Sequence, residues 1–443
     1  MTTTWAWILF TSFAAGCLLL LVAGLRTRSG VLQFPFLAAC GAAGFLVPQA
    51  IGVLREPGLV PEDGLVRTLL MCCLCLGALY LGWVRPAPLR WFRSAARRYP
   101  VRAMYWIGIG LLAVGMWGYL KLSSLAGGLV EAYSVEGGSQ LVWRGLPIFY
   151  LFFINYLLPG MALCTLTALL LRAPARLVPP GVALAIQLAT VVFWGRRSVL
   201  FNLLAFLGCV LYFGKRWLPS KAVLLTLAAL AMASVFVLPV YRAHSAIGAD
   251  RDRLRDLSVR GTVERAFSGN QGEFWTAVHV IQIADRQGIY QYGAGLYNDF
   301  IWLFVPRMIV GDEGKEALYI KLPDPMTAPN EYGFERPTGT VLTGPASAFR
   351  EFGYFGCLLF YVLARLMRYL WVRAEAGDLL AQTVYPFAVM GAVASLTNDV
   401  LAIYGPVFMF WIPLAIGLRI AYPYPETRAR GAVAGPAPVL RCE

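Results

Sequence analysis

The sequence predicts an all-α polytopic membrane protein, and three observations support that prediction. Of its 443 residues, 58% are hydrophobic and only 14% are charged, whereas soluble domains carry about 25% charged residues. Long apolar runs recur along the chain, and most approach the roughly 20 residues that a membrane-spanning helix needs. A long polar segment, residues 241–345, interrupts them and holds 13 of the 24 acidic residues.

The apolar runs predict about eleven transmembrane helices, within a range of about ten to twelve. The first run begins at the N-terminus without a basic leader, so we expect it to be retained as a span and not cleaved as a signal peptide. The runs cover residues 5–25, 31–54, 65–84, 103–121, 146–171, 181–195, 198–214, 221–240, 353–372, 380–397 and 401–421.

The runs divide the chain into four predicted parts. About eight spans form an N-terminal transmembrane bundle over residues 1–240, and a large loop with amphipathic helices follows over 241–347. About three C-terminal spans cover 348–421, and a polar tail covers 422–443. Loops as long as the one predicted here are uncommon unless they have a function.

The distribution of lysine and arginine predicts which loops share a side of the membrane. These residues gather on the cytoplasmic side. With the N-terminus outside, the predicted cytoplasmic segments hold 19 of them, whereas the short segments on the other side hold 5. The opposite orientation would export the six arginines of residues 85–102. We therefore predict that the large loop is extracytoplasmic and that the tail is cytoplasmic.

Within the large loop, the pattern predicts helices and an irregular strap. Apolar residues recur at roughly helical spacing among charges over residues 250–267 and 273–286. Residues 295–311 are apolar but short, which favours a helix that lies at the membrane interface or dips into the membrane over a full span. Residues 322–345 are rich in glycine and proline, so we expect an irregular strap there.

Two arginines run against the charge bias. Arg196 and Arg197 separate the sixth and seventh apolar runs, on the predicted outer side. An ionisable group at membrane depth is expensive and indicates a functional site with a partner. The alternative is that both side chains extend to the outer headgroups, as long cationic side chains do near helix ends.

Three short stretches resemble the Wzy-type polymerases of lipid-linked oligosaccharide repeat units. They are GRRS at 195–198, FVPRMIVGDEGKEALYIKLPDP at 304–325 and GPASAFREFGYFG at 344–356. The resemblance implies a GT-C-like bundle in the bacterial inner membrane, with the large loop in the periplasm. It also implies a metal-independent glycosyltransferase that joins undecaprenyl-diphosphate-linked repeat units into a surface or secreted polysaccharide.

The implied reaction expels a lipid diphosphate, whose growing negative charge needs positive donors. Arginine meets that need because its planar guanidinium binds phosphate oxygens through two parallel hydrogen bonds. Five arginines at predicted outer membrane boundaries are the candidate diphosphate ligands: Arg196, Arg197, Arg242, Arg307 and Arg350.

The reaction also needs a base that takes the proton of the attacking sugar hydroxyl. The candidates are Glu351, Asp299, Glu273 and His244. Glu351 matches a glutamate of the family, and the apolar surroundings of Asp299 predict a raised pKa through desolvation. Glu273 begins a predicted helix and could equally be a capping residue. His279 lies among apolar residues and is predicted to be a core residue.

The expected partners follow from the same resemblance. They are the undecaprenyl-diphosphate-linked oligosaccharide, membrane lipids, and a chain-length regulator or export partner. The net charge of +14 is accounted for by basic cytoplasmic loops and does not indicate nucleic acid. No nucleotide-binding motif and no metal-ligand cluster is present in the sequence, so no cofactor is expected. The alternatives are an O-antigen ligase-type glycosyltransferase and a transporter or flippase of lipid-linked sugars.

Overall fold

The computed structural model describes most of the chain as helices joined by short irregular segments. The described residues are 2–56, 58–85, 99–125, 146–194, 197–220, 223, 226, 272–305, 307–328, 333–335 and 341–421. None of them lies in a β-strand. Together with the apolar character of the long helices, this confirms the prediction of an all-α polytopic membrane protein.

Eight helices precede the large loop in the described part of the chain. They are α1 (Thr2–Arg26), α2 (Phe34–Arg55), α3 (Glu62–Val84), α4 (Val101–Leu125), α5 (Leu146–Ile154), α6 (Leu157–Leu170), α7 (Val178–Trp194) and α8 (Arg197–Lys215). Helix α2 contains a π-helical segment over Ala42–Leu46.

Seven further helices belong to the described residues of the loop and the C-terminal region. They are α9 (Glu273–Gln287), α10 (Ala294–Phe304), α11 (Arg307–Ala317), α12 (Gly344–Phe352), α13 (Cys357–Glu375), α14 (Leu379–Thr397) and α15 (Ile412–Ala421). A 3-10 turn over Gly353–Gly356 joins α12 to α13, and a π-helical segment over Gly405–Trp411 precedes α15.

Seven helical segments among the described residues are long and apolar enough to cross a membrane. They are Thr4–Arg26, Phe34–Arg55, Glu62–Val84, Val101–Leu125, Phe152–Leu170, Gly344–Glu375 and Leu379–Thr397. Each overlaps one of the predicted runs. The predicted run 221–240 lies outside the described residues except for 223 and 226, and run 401–421 consists of several short helical pieces.

Small residues let the membrane helices approach closely. A Cβ atom added at Gly82 of α3 would lie only 2.4 Å from the carbonyl oxygen of Tyr361 on α13 and 3.0 Å from the Cβ of Ala364. Such close backbone contact increases van der Waals packing, which drives helix association in lipid because water is absent. The α3–α13 pair therefore forms a tight seam inside the bundle.

Polar contacts at one end of the bundle join segments that the charge pattern assigns to the same side. The Arg365 guanidinium donates a hydrogen bond to the carbonyl oxygen of Arg85 at the end of α3. Arg216, just after α8, forms an ion pair with Glu375 at 3.0 Å. Both pairs link segments that the sequence predicts to be cytoplasmic, so the chain folds with these ends together.

At the other end, α9 of the large loop docks onto α2 and α3. The Gln49 amide donates to Glu273 at 3.0 Å, so the start of α9 is bound to α2. Arg67 on α3 contacts Asp285 at 3.0 Å and donates to Gln282 at 2.9 Å. The buried side chains of α9 are Phe274, Thr276, Ala277, Val278, His279, Val280, Ile281, Gln282, Ile283 and Ala284. This helix is therefore an integral part of the packed structure.

The structure changes one prediction for the loop. The interfacial helix expected over residues 295–311 is divided between α10 and the start of α11, and α11 is kinked at Gly311, whose φ is +74°. Val305 ends α10 with an extended backbone, the conformation favoured by a residue that precedes proline. The helix predicted over 273–286 is α9, whereas residues 250–267 lie outside the described residues. The described residues of the strap up to Thr343 are irregular, as predicted, whereas Gly344 and Pro345 begin α12.

Candidate functional site

The candidate site forms around Arg350 on α12. Helix α12 has Pro345 in its first turn and is followed by Gly353, whose φ of +57° favours glycine. Both polar residues of its last turn are buried: Arg350 is 6% exposed and Glu351 is fully buried. Two adjacent charged side chains inside a packed structure need hydrogen-bonding partners, because an unpaired buried charge is strongly unfavourable.

The guanidinium of Arg350 finds its partners on three different segments. Its Nε and Nη2 atoms donate to Oε1 of Glu351 at 3.2 and 3.0 Å. Nη2 also lies 3.5 Å from Oδ2 of Asp299 on α10. Nη1 contacts the thioether sulfur of Met326 in the strap at 3.3 Å. A thioether is a weak acceptor, so Nη1 has the weakest partner of the three nitrogen atoms.

The second oxygen of Glu351 is bound by the turn before α10. The Gly293 amide donates to Oε2 at 3.0 Å. The same turn runs along the end of α12 through backbone hydrogen bonds. The Gln291 backbone N–H donates to the Arg350 backbone carbonyl at 2.9 Å, and the Tyr292 backbone N–H donates to the Glu351 backbone carbonyl at 2.8 Å. These bonds hold Glu351 in one position.

Glycine is required where α10 meets this pair. A Cβ atom added at Gly295 would lie 2.0 Å from Oε1 of Glu351 and 2.7 Å from Nη2 of Arg350. No side chain fits at those distances, so Gly295 allows the first turn of α10 to approach the buried charges. That approach also brings Asp299, one turn later, to the guanidinium.

Asp299 is a carboxylate of the site that remains partly open to solvent. Its side chain is 37% exposed. The pKa of its carboxyl is raised to about 6. Partial burial is the largest cause, the charge of Asp399 contributes in the same direction, and Arg350 opposes both effects. A carboxyl with such a pKa is largely ionised at neutral pH yet basic enough to accept a proton.

Asp399 brings a third carboxylate from the turn after α14. The Ser347 hydroxyl of α12 donates to its Oδ1 at 2.8 Å. Its charge acts electrostatically on both Asp299 and Arg350. Asp399 was not among the candidates selected from the sequence. The available signal was an acidic residue in the short turn between two apolar runs.

The start of the strap and the residues just before it are bound close to this group. The Asn298 side chain of α10 donates to the Ile320 carbonyl at 2.9 Å and accepts from the Ile320 backbone amide at 2.8 Å. Within the strap, the Pro323 carbonyl accepts a hydrogen bond from the Gln291 side chain, and Met326 contacts Arg350.

Two other predicted site residues have partners elsewhere. Glu273 accepts a hydrogen bond from Gln49 in the first turn of α9. Arg307 on α11 is 65% exposed and forms an ion pair at 3.1 Å with Asp312, which is also exposed. Arg307 and Asp299 both act electrostatically on the Tyr319 phenol, so they border the same part of the loop.

Three of the predicted site residues, Arg196, Arg242 and His244, lie outside the described residues. Arg197 begins α8, and its side chain is likewise outside the described part. His279 is buried, as predicted for a core residue: its ring stacks on Phe334 at 4.9 Å, and its Nδ1 lies 3.0 Å from the Trp275 carbonyl. Burial lowers the pKa of His279.

Among the residues that the structure describes, no group of three or more His, Cys, Asp or Glu side chains is arranged to hold a metal ion. Comparison with protein-family models, with curated proteins and with solved structures finds no match to this chain. The site is therefore interpreted from its own geometry: one buried arginine that joins a buried glutamate to a partly exposed aspartate.

Proposed function

We propose that this chain is a metal-independent membrane glycosyltransferase of the Wzy type, which joins undecaprenyl-diphosphate-linked oligosaccharide repeat units into a polysaccharide. The observation that carries the proposal is the contact of Arg350 with both Glu351 and Asp299. It brings together three residues that were selected separately from the sequence, of which Arg350 and Glu351 lie in the stretch 344–356. A base and a cationic donor in one site are what the proposed transfer requires.

In the proposed reaction, Asp299 is the base. Its ionised carboxylate accepts the proton of an acceptor sugar hydroxyl while the oxygen attacks the anomeric carbon of the lipid-linked chain. The new C–O bond forms as the bond from that carbon to the diphosphate oxygen breaks, and the diphosphate leaves with the electron pair. The partial exposure of Asp299 allows a hydroxyl to reach it, whereas the full burial of Glu351 suits a positioning role.

The diphosphate needs cationic donors, and the Nη1 atom of Arg350 is the donor that we assign to it. Its Nη2 is directed at the two carboxylates, whereas Nη1 contacts only the weak acceptor Met326 among the contacts described. A phosphate oxygen is a much stronger acceptor than a thioether and would replace it. We assign Arg196, Arg197, Arg242 and Arg307 to the same diphosphate, as the sequence analysis proposed.

The membrane arrangement belongs to this proposal. We propose about eleven spans in a GT-C-like bundle, located in the bacterial inner membrane with the large loop in the periplasm. The contacts of α9 with α2 and α3 support the assignment of the loop to one end of the bundle, opposite the Arg216–Glu375 pair. In this orientation, the site lies near the headgroup level, where the lipid diphosphate is found.

The proposed function is tested with the purified full chain in liposomes. The substrate is the lipid-linked oligosaccharide fraction extracted from the membranes of the producing cells. We expect a ladder of products that grows by whole repeat units, and we expect Asp299→Asn to abolish it while the exposed control Glu313→Gln retains it. A single transfer to a different lipid acceptor would favour the ligase alternative, and movement of the lipid across the bilayer without any new glycosidic bond would favour the transporter.

A further inference from the structure

The turn before α10, whose Gly293 amide donates to Glu351, contains a tyrosine with an unusual backbone conformation. Tyr292 has a φ of +50°, in the left-handed region that is a genuine outlier for a bulky side chain. The next residue, Gly293, also has a positive φ of +91°, which a glycine adopts without strain. The chain therefore places a large aromatic residue at a position where a second glycine would be the relaxed choice.

The strained tyrosine lies at the edge of the candidate site. Its own amide donates to the Glu351 carbonyl, and the following amide, of Gly293, donates to the Glu351 carboxylate. Its side chain is nevertheless 69% exposed, among the most exposed large apolar side chains in the described residues. The backbone conformation thus holds the residue against the buried glutamate while most of its ring faces outward.

Packing inside the protein does not explain this arrangement. The ring meets Tyr290 edge-on, with 6.1 Å between the centroids, whereas Tyr290 itself packs on Phe349 at 6.0 Å. An aromatic residue that merely marks the membrane interface needs no left-handed backbone, because any exposed position on a helix would serve. Strain that persists beside a candidate site indicates a requirement of the ligand.

We infer that Tyr292 is a specificity-determining residue whose exposed ring is the platform for a pyranose ring of the acceptor. This inference rests on the proposed function. A rigid aromatic face supplies a large contact area at a small entropy cost, and it suits the apolar C–H face of a sugar. The sugar hydroxyls would then lie toward the carboxylates of the site.

The test compares Tyr292→Gly with Tyr292→Phe in the liposome assay, using the extracted lipid-linked oligosaccharide fraction as the probe. Tyr292→Gly removes the ring and also relieves the strain at φ +50°. We expect it to melt at an equal or higher temperature than the wild type, yet to need about tenfold more substrate for half-maximal rate, with kcat within about twofold. Tyr292→Phe keeps the ring face and should retain the wild-type KM.

Each outcome decides a different point. If the wild type elongates and folded Tyr292→Gly has an unchanged KM, the platform role of Tyr292 is overturned while the proposed function stands. If the wild type forms no ladder, the proposed function fails and the inference fails with it.

Discussion

Oδ2 of Asp299 lies 3.5 Å from the same Nη2 atom of Arg350 that donates to Glu351 at 3.0 Å. The two carboxylates therefore share one guanidinium but differ in exposure. Glu351 is enclosed by protein, whereas Asp299 keeps more than a third of its side chain in solvent. This difference supports the separate roles proposed above for two carboxylates that were both candidates for the base in the sequence.

The first prediction concerns the pH dependence of elongation. Burial and Asp399 raise the pKa of Asp299 from 3.8 to about 6. A base must be ionised to accept a proton, so the rate should fall as the pH drops through about 6 and should level off above it. The measurement is the initial rate of ladder formation from about pH 5 to 8.

Asp399→Asn provides the matched variant for this pH profile. It removes the charge that raises the pKa of Asp299, while its side-chain oxygen can still accept the Ser347 hydrogen bond. The acid limb should therefore move to lower pH, with the plateau rate retained. Glu313→Gln, on the exposed face of α11, should leave the limb in place. A limb that stays fixed in Asp399→Asn would show that another group controls it.

The second prediction concerns the buried ion pair. Glu351→Gln removes the charge that faces Arg350, and breaking one side of a buried pair costs about 3 kcal/mol of unfolding free energy. The double variant Arg350→Met with Glu351→Gln removes the unpaired charge and should recover part of that loss. Thermal unfolding in detergent, followed by tryptophan fluorescence, measures both. Equal losses in the two variants would contradict the assignment of Glu351 as the main partner.

The third prediction concerns Gly295. A methyl group there would lie 2.0 Å from Glu351 Oε1, so Gly295→Ala must move α10 away from Arg350 and carry Asp299 with it. We expect a loss of about 2 kcal/mol in stability and a larger relative loss of elongation. The control is Gly110→Ala in α4, where the added Cβ meets no atom within 4 Å. Wild-type elongation in Gly295→Ala would mean that the approach of α10 is not needed.

Much of this architecture could be predicted from composition and from the length of the apolar runs, because lipid forces backbone groups into helices. Asp299, Arg350 and Glu351 could also be selected one by one, since charged residues at apolar boundaries are conspicuous. Their mutual contact could not, because it depends on how α10 packs on α12. The role of Asp399 was missed for the same reason: about a hundred residues separate it from Asp299 in the chain.

The fourth prediction concerns the arginine pair between the sixth and seventh predicted spans. If Arg196 and Arg197 bind the diphosphate, replacing both with Gln should abolish elongation and leave expression intact, because glutamine carries no charge. Replacing both with Lys keeps the charge but loses bidentate binding, so an intermediate rate is expected. Arg172→Gln, in a predicted cytoplasmic segment, is the control. Full elongation by the double Gln variant would show that Arg196 and Arg197 do not bind the diphosphate.

The fifth prediction concerns the side of the membrane on which the site lies. Glu313→Cys places an exposed thiol on α11 of the large loop, which is predicted to be extracytoplasmic. Arg28→Cys places an exposed thiol in a segment that is predicted to be cytoplasmic. A membrane-impermeant maleimide added to cells with a permeabilised outer membrane should label Glu313→Cys and should label Arg28→Cys only after the inner membrane is opened.

The wild type gives the background for this labelling, and it should be low. Eight of the nine cysteines are buried or partly buried in the described residues, and the ninth lies in the tail that is predicted to be cytoplasmic. The result bears directly on the proposed chemistry, which requires the lipid diphosphate and the large loop to be on the same side of the membrane. Labelling of Arg28→Cys from outside, with Glu313→Cys protected, would place Asp299 and Arg350 in the cytoplasm and would exclude polymerisation on the periplasmic side.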